Sequence, residues 1–268
     1  MIPTKLKKPL DQLPMVWHKV FSLLPRVMPF KLARRIYLSL VKPADDNQAY
    51  QFAMRFELFW FKPKHLIQNY IHHGVDNINR NETYILTTLH FGQFGLYPAS
   101  LNLQFSFKSQ YVVTGRNLTP GTDAHNFWSV YGHSPLSMAG YPCRYSTEKI
   151  FSHVQRLKTR VSQAIILDVR EQGLYQQEVT LEFLGDKFYL PATVPLLAKR
   201  AGVKILPFIG FYDEETDKHQ VYWFEPIEPQ KDVNAVLREI LINFEKIFVE
   251  HPEQYFNNLE YFRHPLPY

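Results

Sequence analysis

Histidine ordinarily titrates close to working pH, and one of the 11 in this chain stands where a base would be useful. His90 follows the apolar, β-rich run Thr83-Tyr84-Ile85-Leu86-Thr87-Thr88-Leu89 and opens the stretch Phe91-Gly92-Gln93-Phe94-Gly95. The run predicts a strand and the stretch a glycine-bearing turn into a helix. His90 is therefore expected at the C-terminal end of a strand, where ligands bind in open α/β sheets. A histidine there can deprotonate a hydroxyl or an amine that attacks a carbonyl. Gly92 and Gly95 allow backbone to approach a substrate closely, and the N–H groups of the helix start can hold an oxyanion or a phosphate, which makes Gly92 and Gln93 candidate substrate-binding residues. By itself the pattern is weak, because a histidine after a strand is more often structural.

The elements that would position His90 follow from hydrophobic periodicity. Strand-like runs fall at 111–114, 164–168, 179–184, 203–210 and 220–224, and helical patterns at 94–103, 121–131, 147–159, 192–201 and 232–249. Strands alternating with helices of this length predict an α/β fold with a mixed, largely parallel sheet flanked by helices. Upstream, Asp45 or Asp46 is a plausible cap for a helix over Ala49-Tyr50-Gln51-Phe52-Ala53-Met54-Arg55-Phe56-Glu57-Leu58-Phe59-Trp60-Phe61. The stretch from Pro63 to Gly74 is expected to form a second buried helix, with proline at its start and glycine at its end. No internal repeat or Gly/Ser linker is present, so residues 44–268 are expected to form one domain and residues 1–43 an N-terminal helical extension.

Composition narrows the function. With 46% apolar and 21% charged residues in 268, the chain is globular and not disordered. A lone cysteine, Cys143, excludes an intrachain disulfide and a Cys-rich metal site, and no metal is expected. No run approaches the roughly 18 consecutive apolar residues of a membrane span, and no export signal is evident at the N-terminus. The net charge of +5 is unevenly spread: residues 1–42 hold nine Lys or Arg against Asp11 alone, while the remainder is slightly acidic. In the same segment Leu13, Val16, Trp17, Val20, Phe21 and Leu24 form one amphipathic stripe, and Leu32, Ile36, Tyr37 and Leu40 form a second opposite Lys31, Arg34 and Arg35. Basic amphipathic helices of this kind suit the headgroup region of an anionic leaflet. The stripes can equally pack on the core, and each helix can do both with different faces. Nucleic acid is excluded as a partner, since the basic residues go with apolar stripes and not with stacking aromatics on a sheet.

Several motifs recur in a recognisable order: Leu89-His90-Phe91-Gly92-Gln93-Phe94-Gly95, Gly115-Arg116-Asn117, Ile165-Ile166-Leu167-Asp168-Val169, Glu182-Phe183-Leu184-Gly185, Pro195 to Phe208, and His251-Pro252-Glu253-Gln254-Tyr255-Phe256. Taken in that order, the chain resembles the lipid A lauroyl/myristoyl acyltransferase family over most of its length. The resemblance implies transfer of an acyl group from a thioester, on the phosphopantetheine arm of a carrier protein or on coenzyme A, to a membrane lipid, with no other cofactor. It also implies a peripheral position on the cytoplasmic face of a bacterial inner membrane. In that family the histidine is the general base, and a Glu or Asp five residues later orients it. Here that position is Gly95.

The departure leaves three possibilities: another acid supplies the role, the chemistry needs it less, or the protein is an acyl- or lipid-binding relative without activity. Asp168, at the end of a predicted strand, is the first candidate acid, followed by Glu171, Asp123 and Glu182. Arg116 is suited to a phosphate of the donor arm or of the acceptor lipid. Cys143 can in principle accept an acyl group, although a buried thiol is the simpler reading. The lost acid and the lack of an anchor resemble the lipid A glycyltransferases, a divergent branch that moves a glycyl group from a carrier-protein thioester to lipid A. That likeness implies lipopolysaccharide modification and, through added positive charge, resistance to cationic antimicrobial peptides.

Overall fold

A computed structural model describes residues 29–61, 63–114, 143–146, 150–169, 177–229, 232–256 and 259–265. The first amphipathic stripe, the helix expected at 121–131, and Arg116, Asp123 and Glu171 lie outside the described residues. The chain divides into two compact units, residues 1–62 and 63–268. Charge places a boundary at 43/44, whereas packing places it at 62/63, because the second helix packs on the first.

In the N-terminal unit, α1 (Phe30–Val41) and α2 (Asp46–Trp60) share a small core of Ala33, Tyr37, Phe52 and Phe56. The Tyr37 and Phe56 rings stack at 4.6 Å. Asp45 is the cap of α2, its carboxylate accepting from the Gln48 N–H at 2.8 Å.

The second unit begins with a correction. The stretch from Pro63 is helical only through α3 (Pro63–Leu66) and a 3₁₀ turn to Asn69, after which Ile71–His73 becomes strand β1. The reason is tertiary. β1 pairs in parallel with the strand at 218–223, and His72 accepts a hydrogen bond from the Trp223 indole at 2.8 Å while its other ring nitrogen meets Ser100 Oγ. Gly74, at φ +71°, turns the chain away from that edge.

The remaining elements are β2 (Tyr84–Thr88), α4 (Tyr97–Phe105), β3 (Ser109–Thr114), β4 (Cys143–Ser146), α5 (Ile150–Lys158), β5 (Ser162–Ile166), β6 (Glu178–Phe183), β7 (Asp186–Pro191), α6 (Thr193–Ala201), β8 (Lys204–Asp213), β9 (Lys218–Trp223) and α7 (Val233–Glu250). Among the described residues seven strands form one sheet in the order β1-β9-β8-β2-β5-β3-β4, in which only the β8–β9 hairpin is antiparallel. The expected mixed, largely parallel sheet is therefore present. β1, β4 and β7 are additional to the strands legible in the sequence.

Both faces of the sheet are covered, as a parallel sheet requires. Ile85, Ile205 and Ile209 join the main core with α6, α7 and the β6–β7 hairpin, while the alternating residues Leu86, Leu206 and Phe208 are buried outside that cluster. Glu182-Phe183-Leu184-Gly185 is explained by this hairpin. Leu184 and Gly185 both have positive φ, the two-residue turn that matches strand twist.

Candidate functional site

β2 and β5 are neighbours in parallel, with Thr88 opposite Ile166. Two residues further along each strand stand His90 and Asp168, so the register alone brings base and acid together at the C-terminal edge of the sheet. The Leu167 N–H donates to the Thr88 carbonyl at 2.8 Å and carries the pairing past the formal strand ends. His90 Nδ1 lies 2.9 Å from Asp168 Oδ1, and the same oxygen accepts the His90 backbone N–H at 3.0 Å. The second oxygen, Oδ2, accepts the Tyr255 hydroxyl at 2.9 Å. The Asp168 side chain is 1% exposed and that of His90 15%.

Three donors converging on a buried carboxyl suit a carboxylate, which accepts at both oxygens and donates at neither. When Nδ1–H of His90 donates to Asp168, the basic nitrogen of the neutral ring is Nε2. The Phe94 ring meets His90 edge-on at 4.8 Å and, with Asp168, fixes its plane.

The turn after His90 is held from the C-terminal segment. The Gly92 N–H donates to the Gln254 carbonyl at 2.9 Å, and the Phe256 N–H to the His90 carbonyl at 2.8 Å. The Gln254 side chain pairs with the backbone of Tyr212 through both its amide groups, at 2.9 Å each, as a neighbouring strand residue would. Gly92 itself is required: its φ is +56°, and a Cβ there would collide with the Gly210 carbonyl and the Tyr97 hydroxyl.

These bonds bear on the candidate substrate binders Gly92 and Gln93 only through their backbone N–H groups. The Gly92 N–H is taken by Gln254 and the Gln93 N–H by the Tyr97 hydroxyl at 2.8 Å, so neither is presented to an oxyanion. The Gln93 side chain is 4% exposed and accepts from the Tyr70 hydroxyl at 2.7 Å. The turn is tight enough to use its own donors, which the glycine spacing does not reveal.

Of the remaining candidate acids, Glu182 is exposed on β6, on the side opposite Leu181 and Phe183, and takes no part in this cluster. Cys143 lies on β4, opposite Tyr111 of β3. Among the described residues no group of His, Cys, Asp and Glu could hold a metal ion. Sequence reasoning missed Tyr255 and Gln254 as members of the site, although the run His251 to Phe256 stood out as a motif. The motif itself was the available signal, without saying which of its side chains turn toward His90.

No protein-family model and no curated protein matches this chain. Among solved structures it is similar to the 1-acyl-sn-glycerophosphate (LPA) acyltransferase PlsC from Thermotoga maritima, at 14% identity and a TM-score of 0.39, over 78% of this chain and 83% of that one.

Proposed function

We propose that this protein is an acyl-group transferase in which His90 is the general base and Asp168 its carboxylate partner. The observation that carries the reading is the pairing of His90 Nδ1 with the buried Asp168 at the ends of adjacent parallel strands. Nε2 takes the proton of an acceptor hydroxyl or amine as the acceptor attacks the thioester carbonyl. Asp168 stabilises the imidazolium that forms. Collapse of the tetrahedral adduct breaks the C–S bond, and the imidazolium returns its proton to the departing sulfur. The net change is one C–S bond exchanged for a C–O or C–N bond, with no redox step. The non-catalytic alternative depended on a missing acid, and the contact between His90 and Asp168 weighs against it.

The finer reading follows the family resemblance. The donor is the thioester on the phosphopantetheine arm of an acyl or aminoacyl carrier protein, the acceptor is lipid A, and the work is done at the anionic cytoplasmic face of a bacterial inner membrane. No helix among the described residues is long and apolar enough to cross a membrane, in keeping with peripheral attachment. A small donor such as glycyl is taken from the resemblance alone. Phe94, Phe91 and Tyr97 are all fully buried and pack the core. Arg116 is retained as the candidate phosphate ligand.

The test is mass spectrometry of membrane lipids from cells with the protein, without it, and with His90→Ala, joined to transfer assays using glycyl- and lauroyl-loaded carrier proteins. A glycyl adduct on lipid A that depends on His90 is the expected result. Lauroyl or myristoyl transfer without glycyl transfer would return the chain to long-chain chemistry, and no adduct of either kind would overturn the enzyme reading.

A further inference from the structure

The apolar arc of α1 is wider than the helix that covers it. At about 100° per residue, Leu32, Ile36, Leu40, Ala33, Tyr37, Phe30 and Val41 follow one another around roughly half of its circumference. α2 buries one half of this arc: Ala33 is 0% and Tyr37 3% exposed, with Phe30 and Val41 packed beside them. The other half is open, with Leu32 at 48%, Ile36 at 37% and Leu40 at 45% exposure. The sequence groups Tyr37 with Leu32, Ile36 and Leu40 on one side; packing on α2 divides that side in two.

Charge sits along the open half. Lys31 and Arg35 are exposed and fall on the helix flank next to the Leu32-Ile36-Leu40 row, with Ser39 between, and exposed Lys42 caps the C-terminal end of the helix. An apolar row bordered by cations along one edge is the arrangement of a helix lying in a lipid interface. A protein partner would be met by a more mixed rim, and nothing acidic lies on this exposed face of α1.

We infer that α1 is the membrane-contacting element: Leu32, Ile36 and Leu40 enter the acyl boundary of an anionic leaflet, and Lys31, Arg35 and Lys42 meet lipid phosphates. Ala33 and Tyr37 meanwhile fasten the helix to α2. This rests on the peripheral-membrane part of the proposed function and on none of its chemistry. The row is only two turns long, so insertion is shallow and reversible, and it depends on both the apolar and the basic component.

The experiment is cosedimentation of the full chain with vesicles of phosphatidylethanolamine and phosphatidylglycerol, and with neutral phosphatidylcholine vesicles. Two variants are compared: Leu32→Ser/Ile36→Ser/Leu40→Ser, and Lys31→Glu/Arg35→Glu. All five positions are solvent-facing, so thermal melts are expected to match the wild type. Wild type is expected to prefer anionic vesicles and to be released by high salt. The serine variant should lose at least tenfold in binding to anionic vesicles, and the glutamate variant should lose its preference for them. Transfer to detergent-dispersed acceptor should persist in the serine variant, which keeps the test separate from that of the enzyme reading. Failure of the wild type to bind anionic vesicles overturns the inference. So does unchanged binding by the serine variant, which would assign attachment to residues 1–28, and so does a wild-type dimer that the serine variant abolishes, which would make a second copy the occupant.

Discussion

Asp168→Asn separates charge from hydrogen bonding at the site. The side chain keeps its size, and its carbonyl oxygen can still accept both the His90 N–H and the Nδ1–H that now meet Oδ1. Its amide then faces the Tyr255 hydroxyl, which rotates from donor to acceptor, so the hydroxyl proton alone gives up its bond. The loss is that bond and the charge assistance of the other two, and it is partly offset by no longer burying an anion. A destabilisation of about 1–2 kcal/mol is expected. Asp168→Ala instead leaves the donors in a site that admits almost no water, at about 1–3 kcal/mol each for those that stay unsatisfied, or some 3–5 kcal/mol together. The effect on turnover runs the other way. Without a carboxylate behind the imidazolium, kcat should fall by about 10² to 10⁴ in the Asn variant, by analogy with the serine protease triad, while KM changes little. Denaturant midpoints and steady-state transfer on the same preparations check both numbers. A folded Asn variant with kcat within about threefold of the wild type would refute the assignment of Asp168 to the chemistry.

Tyr255→Phe removes one donor from Asp168 without opening a cavity, and is expected to cost about 1–2 kcal/mol in denaturant unfolding and to lower kcat by a smaller factor than Asp168→Asn. Gly92→Ala meets both an unfavourable φ and the Gly210 carbonyl, and should destabilise by at least about 2 kcal/mol, read as a fall in melting temperature. His72 provides a pH dependence away from the site. Burial, helped by neighbouring His73, lowers its pKa from 6.5 to about 4. The folded state thus binds the proton less well than the unfolded chain, so its contribution is complete above pH 6.5 and is lost as pH falls towards 4. Between pH 7 and pH 5 the loss is about 2 kcal/mol. His72→Gln can keep the bonds to Trp223 and Ser100, and the difference between its unfolding midpoint and that of the wild type should change by this amount over that range. An unchanged difference would show that His72 is protonated in the folded protein.

The alternation of strands and helices was legible because hydrophobic period is a local property: β2, β5, β8 and α7 stand close to where periodicity places them. β1 was not. Its three residues continue a helical pattern from Pro63, and pairing with β9, some 150 positions away, makes them a strand. Asp168 could be named as the replacement acid because strand ends in a parallel sheet share an edge. Its contact with His90 depends on register, which single-strand patterns leave open. That the N–H groups of Gly92 and Gln93 are taken up within the protein was not legible, because glycine spacing announces a turn and does not say which acceptors lie beneath it. Tyr255 escaped notice because a tyrosine in an aromatic stretch reads as packing until its hydroxyl is found on a carboxylate.

The Gln254 amide that imitates a strand residue against Tyr212 bears on how the protein would fail on heating. Residues 251–256 hold on through a 3₁₀ turn, a few hydrogen bonds, the stacking of His251 on Phe211 at 4.1 Å and the packing of Tyr255 on Phe248, and not through a strand of the main sheet. Segments of that kind open at lower free energy than the sheet they cover. Each opening would take the hydroxyl from Asp168 and the N–H partners from the carbonyls of His90 and Gln254 together, while the seven strands stayed paired. Inactivation should therefore precede melting, and a protease that cuts near Gln254 would silence the protein while leaving its circular dichroism almost unchanged.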